Sequence, residues 1–477
     1  MYNAAVLSIR AIFNQRRVFM DSAIFLNTPP TKLFFRCAVP AVITSVFGAL
    51  YSVVDGMFVG RYLGEDALAA VNLIMPIIMI VEAISNMIAT GASVNISMLL
   101  GAQNREDASK VFSFSVKFIL LFSCVISVLG FFFAKPFITL ISPGASEIAI
   151  LHGTEYLKVY AVFGPLIPIY FATDNFLRVC GKQKLSMSIG VITQLLNVVL
   201  DFLLIAVFHK GVKAAAVASC ISIVLGSAIT LILFLNRRMD VYYTKENIPA
   251  ARFFRIAANG SSEFFSSIAT SIMSVVMNLF LLKYGGTTAV AAFSIVMYVD
   301  SIIGMLNFGI CDSLQPAISY CYGAGLPERM KAIFQRVLIA TIIVSLASFL
   351  FMLLIGPHAA RIFIKPGDTE LLKVSISAIK IFSFSYLVGW IDMCFSSFFT
   401  ALDRPVRSLL VSFFGTLVFP IAFLFILTAI WGLRGVWLMA TAAAIASGIL
   451  TLILAKTLKL EKPNLSETQV SPHSHSA

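Results

Sequence analysis

Apolar residues in this chain fall into long blocks, separated by short segments rich in Gly, Pro and charged side chains. Each block reaches the roughly 20 residues that a helix needs to cross a hydrocarbon core of about 30 Å. The pattern predicts helices over 33–60, 67–100, 111–133, 154–179, 185–208 and 212–236. A second series follows over 252–283, 289–322, 332–356, 370–401, 406–431 and 435–458. The expected fold class is an all-α integral membrane protein with twelve transmembrane helices. Its organisation reads as a tail over 1–32, a first lobe over 33–236, a linker over 237–251, a second lobe over 252–460 and a disordered polar tail over 461–477.

The two series repeat one another. GRYLGEDALAAV (60–71) aligns without gaps to LKYGGTTAVAAF (282–293) at an offset of 222, with identities at Tyr62/Tyr284, Gly64/Gly286, Ala67/Ala289, Ala69/Ala291 and Ala70/Ala292. GAQNREDASKVF (101–112) meets GAGLPERMKAIF (323–334) at the same offset, and GVKAAAV (211–217) meets GLRGVWL (432–438) at 221. Six crossings per copy is an even number, so both copies enter the membrane in one orientation. The pseudo-two-fold axis then lies along the membrane normal. Transporters built this way hold substrate and coupling ions near the midplane and rock two bundles about them.

Composition agrees with a membrane protein. Hydrophobic residues make up 59% of the chain and charged residues 12%, against about 25% charged in soluble proteins, and mean hydropathy is +0.93. The net charge of +12 is spread through short loops, which argues against a nucleic-acid partner. With the N-terminus inside, inner segments hold about twice as many Lys and Arg as outer ones, so both termini are expected in the cytoplasm. A bacterial inner (plasma) membrane is the expected location, with residues 1–30 read as a tail rather than a cleavable signal peptide. The seven cysteines are odd in number, mostly within apolar runs and without a CxxC pair, and read as small buried hydrophobes.

Charge inside the apolar blocks marks the candidate chemistry. Asp55 sits in LYSVVDGMFVGRYLG, where an ionised carboxylate costs about 2.5–3.5 kcal/mol on insertion scales. Tyr51 lies one turn earlier on the same face, and Asn197 and Asp201 repeat that spacing in QLLNVVLDFLL. A buried carboxylate can hold a proton or a cation in turn, which is a means of coupling; the plainer alternative is a hydrogen bond that ties two helices together. In the second half Glu263 lies in NGSSEFFSSI and Asp392 in LVGWIDMCFSS, whereas the repeat mates of Asp55 and Asp201 are Met277 and Phe423. Any second site is therefore built differently. Glu82 with Asn86, and Asp300 with Asn307, are expected to face the cavity. Asp174 and Arg178 have the spacing of an i,i+4 ion pair. The five histidines, His152, His209, His358, His473 and His475, fall at span ends or in the tail and make poor proton relays.

VPAVITSVFGALYSVVDGMFVGRYLGEDALAAV, the loops LRVCGKQK and ALDRPVR, and the six-plus-six repeat together resemble the multidrug and toxic compound extrusion (MATE) family over residues 33–458. The resemblance implies two lobes around a V-shaped cavity and export of organic cations in exchange for H⁺ or Na⁺, with no resident cofactor. It also implies that Tyr51, Asp55, Asn175, Asn197 and Asp201 form an ion-coupling site in the first lobe, with Na⁺ held by Asp55, Asn175, Asn197 and Asp201. Substrate or a second ion is expected at Glu263, Asp392, Glu82 and Asp300, and the transporter is expected to work as a monomer among membrane lipids. The 42 phenylalanines and 17 methionines offer soft surfaces for lipophilic cations.

Two other functions fit the chain less well. A flippase for lipid-linked or anionic cargo would be expected to carry a cationic cavity, and the internal charges here are mostly acidic. A membrane-embedded enzyme would need HExxH, GxSxG or a comparable motif, and none occurs. Gly181-Lys182 lacks the rest of a Walker A loop, and GAQNREDASK is not the glycine-rich basic loop of the major facilitator group.

Overall fold

Inside a bilayer every backbone N–H and C=O needs a partner within the protein, so apolar blocks of this length become helices. The computed structural model describes residues 21–460 apart from 64, 142–145, 238 and 365–367, and the regular structure among them is helical. The first lobe contains α1 (Pro30–Phe58), α2 (Glu65–Gly101), α3 (Arg105–Phe132), α4 (Ala134–Ile141), α5 (Glu147–Phe163), α6 (Ile167–Val179), α7 (Gln183–Asp201) and α8 (Val212–Leu235). The second contains α9 (Ala250–Ser313), α10 (Gln315–Gly323), α11 (Pro327–Leu354), α12 (Gly356–Phe363), α13 (Thr369–Ser383), α14 (Tyr386–Ala401), α15 (Pro405–Phe413), α16 (Phe419–Trp431) and α17 (Leu433–Lys456). Local chemistry sets several starts. Asn104, Ser146 and Asp368 each accept a backbone N–H at the head of α3, α5 and α13, and proline opens α1, α11 and α15.

Nine described helices are long and apolar enough to cross a membrane, or eleven when each of two bent pairs counts as one crossing. The stretch Ala250–Tyr298 has 49 residues, about 73 Å if straight, which is more than twice the hydrocarbon core. Gly286 breaks it with φ +62°, a left-handed conformation that glycine adopts without steric cost. Counting its two legs separately gives the twelve crossings expected.

The offset of 222 recurs in the element boundaries. It relates α3 to α11 and α4 to α12 at both ends, the start of α5 to that of α13, the end of α6 to that of α14, and the start of α7 to that of α15. The bend between α5 and α6 is 50° and that between α13 and α14 is 52°. Pro165 and Pro168 stand at the first bend, and their counterparts are Leu387 and Trp390. The kink is thus kept by packing where proline is absent.

The lobes meet through α2 against α9 and α10, and through α1 against α9. A Cβ at Gly101 would collide with the Tyr320 carbonyl, and a Cβ at Gly323 with the Met98 carbonyl. Both pairs are related by the repeat offset, so the pseudo-two-fold axis passes between them. Gly91 and Gly260 allow a similar close approach of α2 to α9. Near this end runs the inter-lobe linker, where Arg105 donates to the Asp240 and Met239 carbonyls and Lys110 pairs with Glu246 at 2.8 Å; it is called the linker end below.

One part of the expected organisation looks different in space. The tail expected to reach residue 32 gives way to helix earlier, because residues 21–27 are helical and docked. Phe25 is fully buried against Tyr320 of the second lobe, Ser22 N–H donates to Asp240 at 2.7 Å, and Arg329 donates to the Phe25 and Thr28 carbonyls. The tails over 1–20 and 461–477 lie outside the described residues.

Candidate ion-coupling site

Helices α1 and α7 pack together, and each carries an acid close to the end away from the linker. Asp201 is fully buried, Asn197 one turn before it is 2% exposed, and Asp55 is half-buried. The two carboxyls face each other within reach of one shared proton. Two bare carboxylates have no donor to place between them. Asn197, in the amide orientation that satisfies its neighbours, donates to Asp201 Oδ2 at 2.8 Å and accepts from Ser219 Oγ at 3.0 Å and Ser219 N at 3.1 Å. Ser219 belongs to α8 and lies beside the Tyr51 hydroxyl. Tyr156 of α5 is buried nearby.

Asp201 Oδ1 is buried with no donor, and among the described residues neither carboxyl has a basic partner. The site is therefore short of positive charge. Its donors are carboxyl, amide and hydroxyl oxygens, a set that fits a proton or a hard cation. Asp55, Asp201 and the Asn197 carbonyl, with Ser219 behind them, are the groups that would hold it. No cluster of three or more His, Cys, Asp and Glu suited to a metal ion occurs among the described residues.

Asn175 does not join this group. It lies one turn before the linker end of α6, and residues 180–182 turn the chain straight back into α7. Its neighbour Asp174 accepts from Ser186 in the first turn of α7, about 22 Å along that helix from Asp201. A residue beside a helical hairpin's turn cannot reach the hairpin's open end. The expected ligand set loses Asn175 for that reason and gains Ser219.

The remaining acids occupy separate places. Tyr160 of α5 reaches Glu82 of α2 at 3.5 Å, and Tyr386 of α14 donates to Asp300 of α9 at 2.6 Å. These acid–tyrosine pairs join corresponding crossings of the two lobes, each partner one turn out of register, since the mates of Glu82 and Tyr160 are Gly304 and Phe382. Asp392 accepts from Thr451 at 2.8 Å and lies beside Ser447. Glu263 lies in the neighbourhood of Asp312, both on α9. The predicted Asp174–Arg178 pair is present at 2.7 Å, and Arg178 also holds Asp312 at 2.8 Å. Asp312 carries the same signal in the sequence as Asp55, an acid inside a predicted span. Ser219, Tyr156, Tyr160 and Tyr386 offered no such signal.

The profile of the MatE family matches residues 40–203 and 264–426, one block in each lobe. The multidrug export protein MepA of Staphylococcus aureus (strain MSSA476) is 25% identical over 454 residues, which is 93% of this chain and 98% of that protein. Its namesake in Staphylococcus saprophyticus is 26% identical over 449 residues, 91% and 96% of the two chains. Among solved structures, an outward-facing conformation of a multidrug resistance MATE family transporter superimposes with TM-score 0.82 at 24% identity, covering 91% of this chain and 99% of that one. A MOP superfamily transporter from Pyrococcus furiosus, whose binding pocket of reverse polarity suggests a different function, gives TM-score 0.83 at 24% identity, with 91% and 97% covered. Two lobes on one repeat, each matched by the same profile, establish the family: this chain belongs to the multidrug and toxic compound extrusion transporters, multi-pass proteins of the membrane.

Proposed function

We propose that this multidrug efflux transporter is a secondary active antiporter that exports organic, often lipophilic cations in exchange for H⁺ or Na⁺. The observation that carries the reading is the enclosed Asp55–Asp201 pair, two carboxyls in contact with an orphaned oxygen and no base among the described residues. Such a pair is costly in a membrane protein unless a proton or cation occupies it for part of a cycle. The linker end is the cytoplasmic side in this reading, in an inner (plasma) membrane with both termini inside, so the pair lies toward the outer side. An ion arriving from outside neutralises the pair there. The exported cation is released as the lobes change which side they open to.

Glu263, Asp392, Glu82 and Asp300 supply negative charge for the cargo within the two bundles. Phenylalanine and methionine side chains give it an adaptable apolar surround. The protein needs no cofactor and works as a monomer in contact with lipid. The relative from Pyrococcus furiosus, with its pocket of reverse polarity, indicates that pocket charge separates functions on this fold, and acids predominate here. The test is efflux of a lipophilic cationic dye from proteoliposomes under separately imposed pH and Na⁺ gradients. Wild type is expected to respond to one of them, and Asp55→Asn to neither. Unaltered ion-driven transport by Asp55→Asn would remove Asp55 from the mechanism.

A further inference from the structure

Two ion pairs cross between the lobes near the linker end among the described residues: a long one, Arg252 of α9 with Asp107 of α3 at 3.8 Å, and a short one centred on Arg178 that has no part in the ion site. Arg178 of α6 donates through Nη2 to Asp174 at 2.7 Å on its own helix, and through Nη1 to Asp312 at 2.8 Å on α9 in the other lobe. Ser186 of α7 donates to the second oxygen of Asp174, so the acid that orients the guanidinium is itself fixed. All three charged side chains are about one-fifth exposed, at 22%, 20% and 23% for Arg178, Asp174 and Asp312. Ion pairs at that depth are screened far less than surface pairs, and charge-assisted hydrogen bonds are about twice as strong as neutral ones.

The repeat shows that this contact has been added to a neutral plan. Asp174, Arg178 and Ser186 correspond to Ser396, Thr400 and Ser408, and Asp312 corresponds to Thr90. In the second lobe those hydroxyls satisfy one another: Ser396 meets Ser408 at 3.1 Å and Thr400 meets Ser408 at 2.7 Å. The first lobe keeps the Ser186 hydroxyl, replaces its partners by a charged pair, and uses the arginine to reach across. Helix packing alone does not require the charge, because the symmetric position packs without it.

We propose that the Arg178–Asp312 bond is a state-dependent tie that holds the lobes together at the linker end. Opening of that side breaks it and leaves Arg178 on Asp174. The placement suits that task, since Arg178 has a second carboxylate on its own helix and is not left as a lone charge when Asp312 departs. Removing one partner of a buried pair is costly when the other charge is stranded; Arg178 keeps Asp174, and Asp312 is released toward the side that opens, where water can reach it. The proposal rests on the alternating-access reading above.

The experiment measures distances between spin labels at Lys184→Cys and Val406→Cys. These are exposed residues at equivalent positions of α7 and α15 near the linker end. Cys124, which is not fully buried, is changed to Ser, and the protein is held in lipid nanodiscs without substrate or gradient. Wild type is expected to give one dominant short distance. Asp312→Asn is expected to raise the ratio of long to short distances by about tenfold or more, the equilibrium equivalent of one charge-assisted hydrogen bond. Asp312→Glu should restore the short distance, and Asp174→Asn, which leaves the inter-lobe bond, should move the ratio less than Asp312→Asn does. If Asp312→Asn does not fold, Arg178→Lys, which gives up the two-pronged geometry, should give an intermediate rise. Distances in Asp312→Asn, or failing that Arg178→Lys, that match wild type would overturn the tie, as would a wild type already dominated by the long distance. Failure of cation efflux in the liposome assay would remove the cargo reading and leave these distances untouched.

Discussion

Asp55 and Asp201 in the first lobe stand where the second lobe has Met277 and Phe423. The surrounding helices correspond almost residue for residue, down to bends of 50° and 52°. One cage ends in two carboxyls with an oxygen left unpaired, and at the equivalent place the other is filled by a buried methionine. The same contrast appears at the linker end, where Arg178, held by Asp174, reaches to the other lobe and neutral Ser396 and Thr400 close on Ser408. A duplicated backbone repeats helix positions because helix packing depends on shape and small residues. It does not repeat chemistry, which rests on single side chains that can diverge without moving the helix.

That comparison can be broken in several ways. Asp201→Asn is expected to reduce ion-driven dye efflux to background, while Met277→Leu, a volume-conserving change at the mate of Asp55, should stay within about twofold of wild type. Equal losses would mean that the second cage also takes part in coupling. Met277→Asp should not create a second site. It buries a lone acid and is expected to destabilise by about 2.5–3.5 kcal/mol, read as a lower unfolding midpoint in detergent with no gain in ion dependence. Gly101→Ala and Gly323→Ala test the symmetric contact at the axis, and each should cost about 1–3 kcal/mol through overpacking. A large cost for one alone would show that the axis contact is not shared. Effects of similar size or smaller are expected at the acid–tyrosine pairs. Tyr386→Phe strips Asp300 of a 2.6 Å bond and should cost about 1–3 kcal/mol, whereas Tyr160→Phe, whose bond to Glu82 is 3.5 Å, should cost under about 1 kcal/mol; thermal unfolding of both variants orders them.

Much of the fold was legible because crossing a membrane imposes a coarse rule. Most helix ends lie within a few residues of expectation and none misses by more than seven, and the offsets of 222 and 221 hold at the element ends. The exceptions share a cause. Residues 21–27 read as tail because their anchors, Tyr320, Arg329 and Asp240, are more than two hundred residues away. Asn175 was grouped with Asp55 through resemblance, and the hairpin between α6 and α7 places it at the wrong end. The break between α13 and α14 carries no proline to announce it.

Apolar block length, charge placement and internal repetition are properties of neighbouring residues, so the crossings, the two lobes and the identity of the intramembrane acids could all be read along the chain. Which acids meet is a different kind of fact. Asp55 touches Asp201, Ser219 completes their surroundings, and Arg178 reaches Asp312 because helices distant in the chain pack at particular angles and depths. A pattern with a period of 3.6 residues fixes the face on which a side chain lies, and leaves its partner to be chosen by tertiary packing.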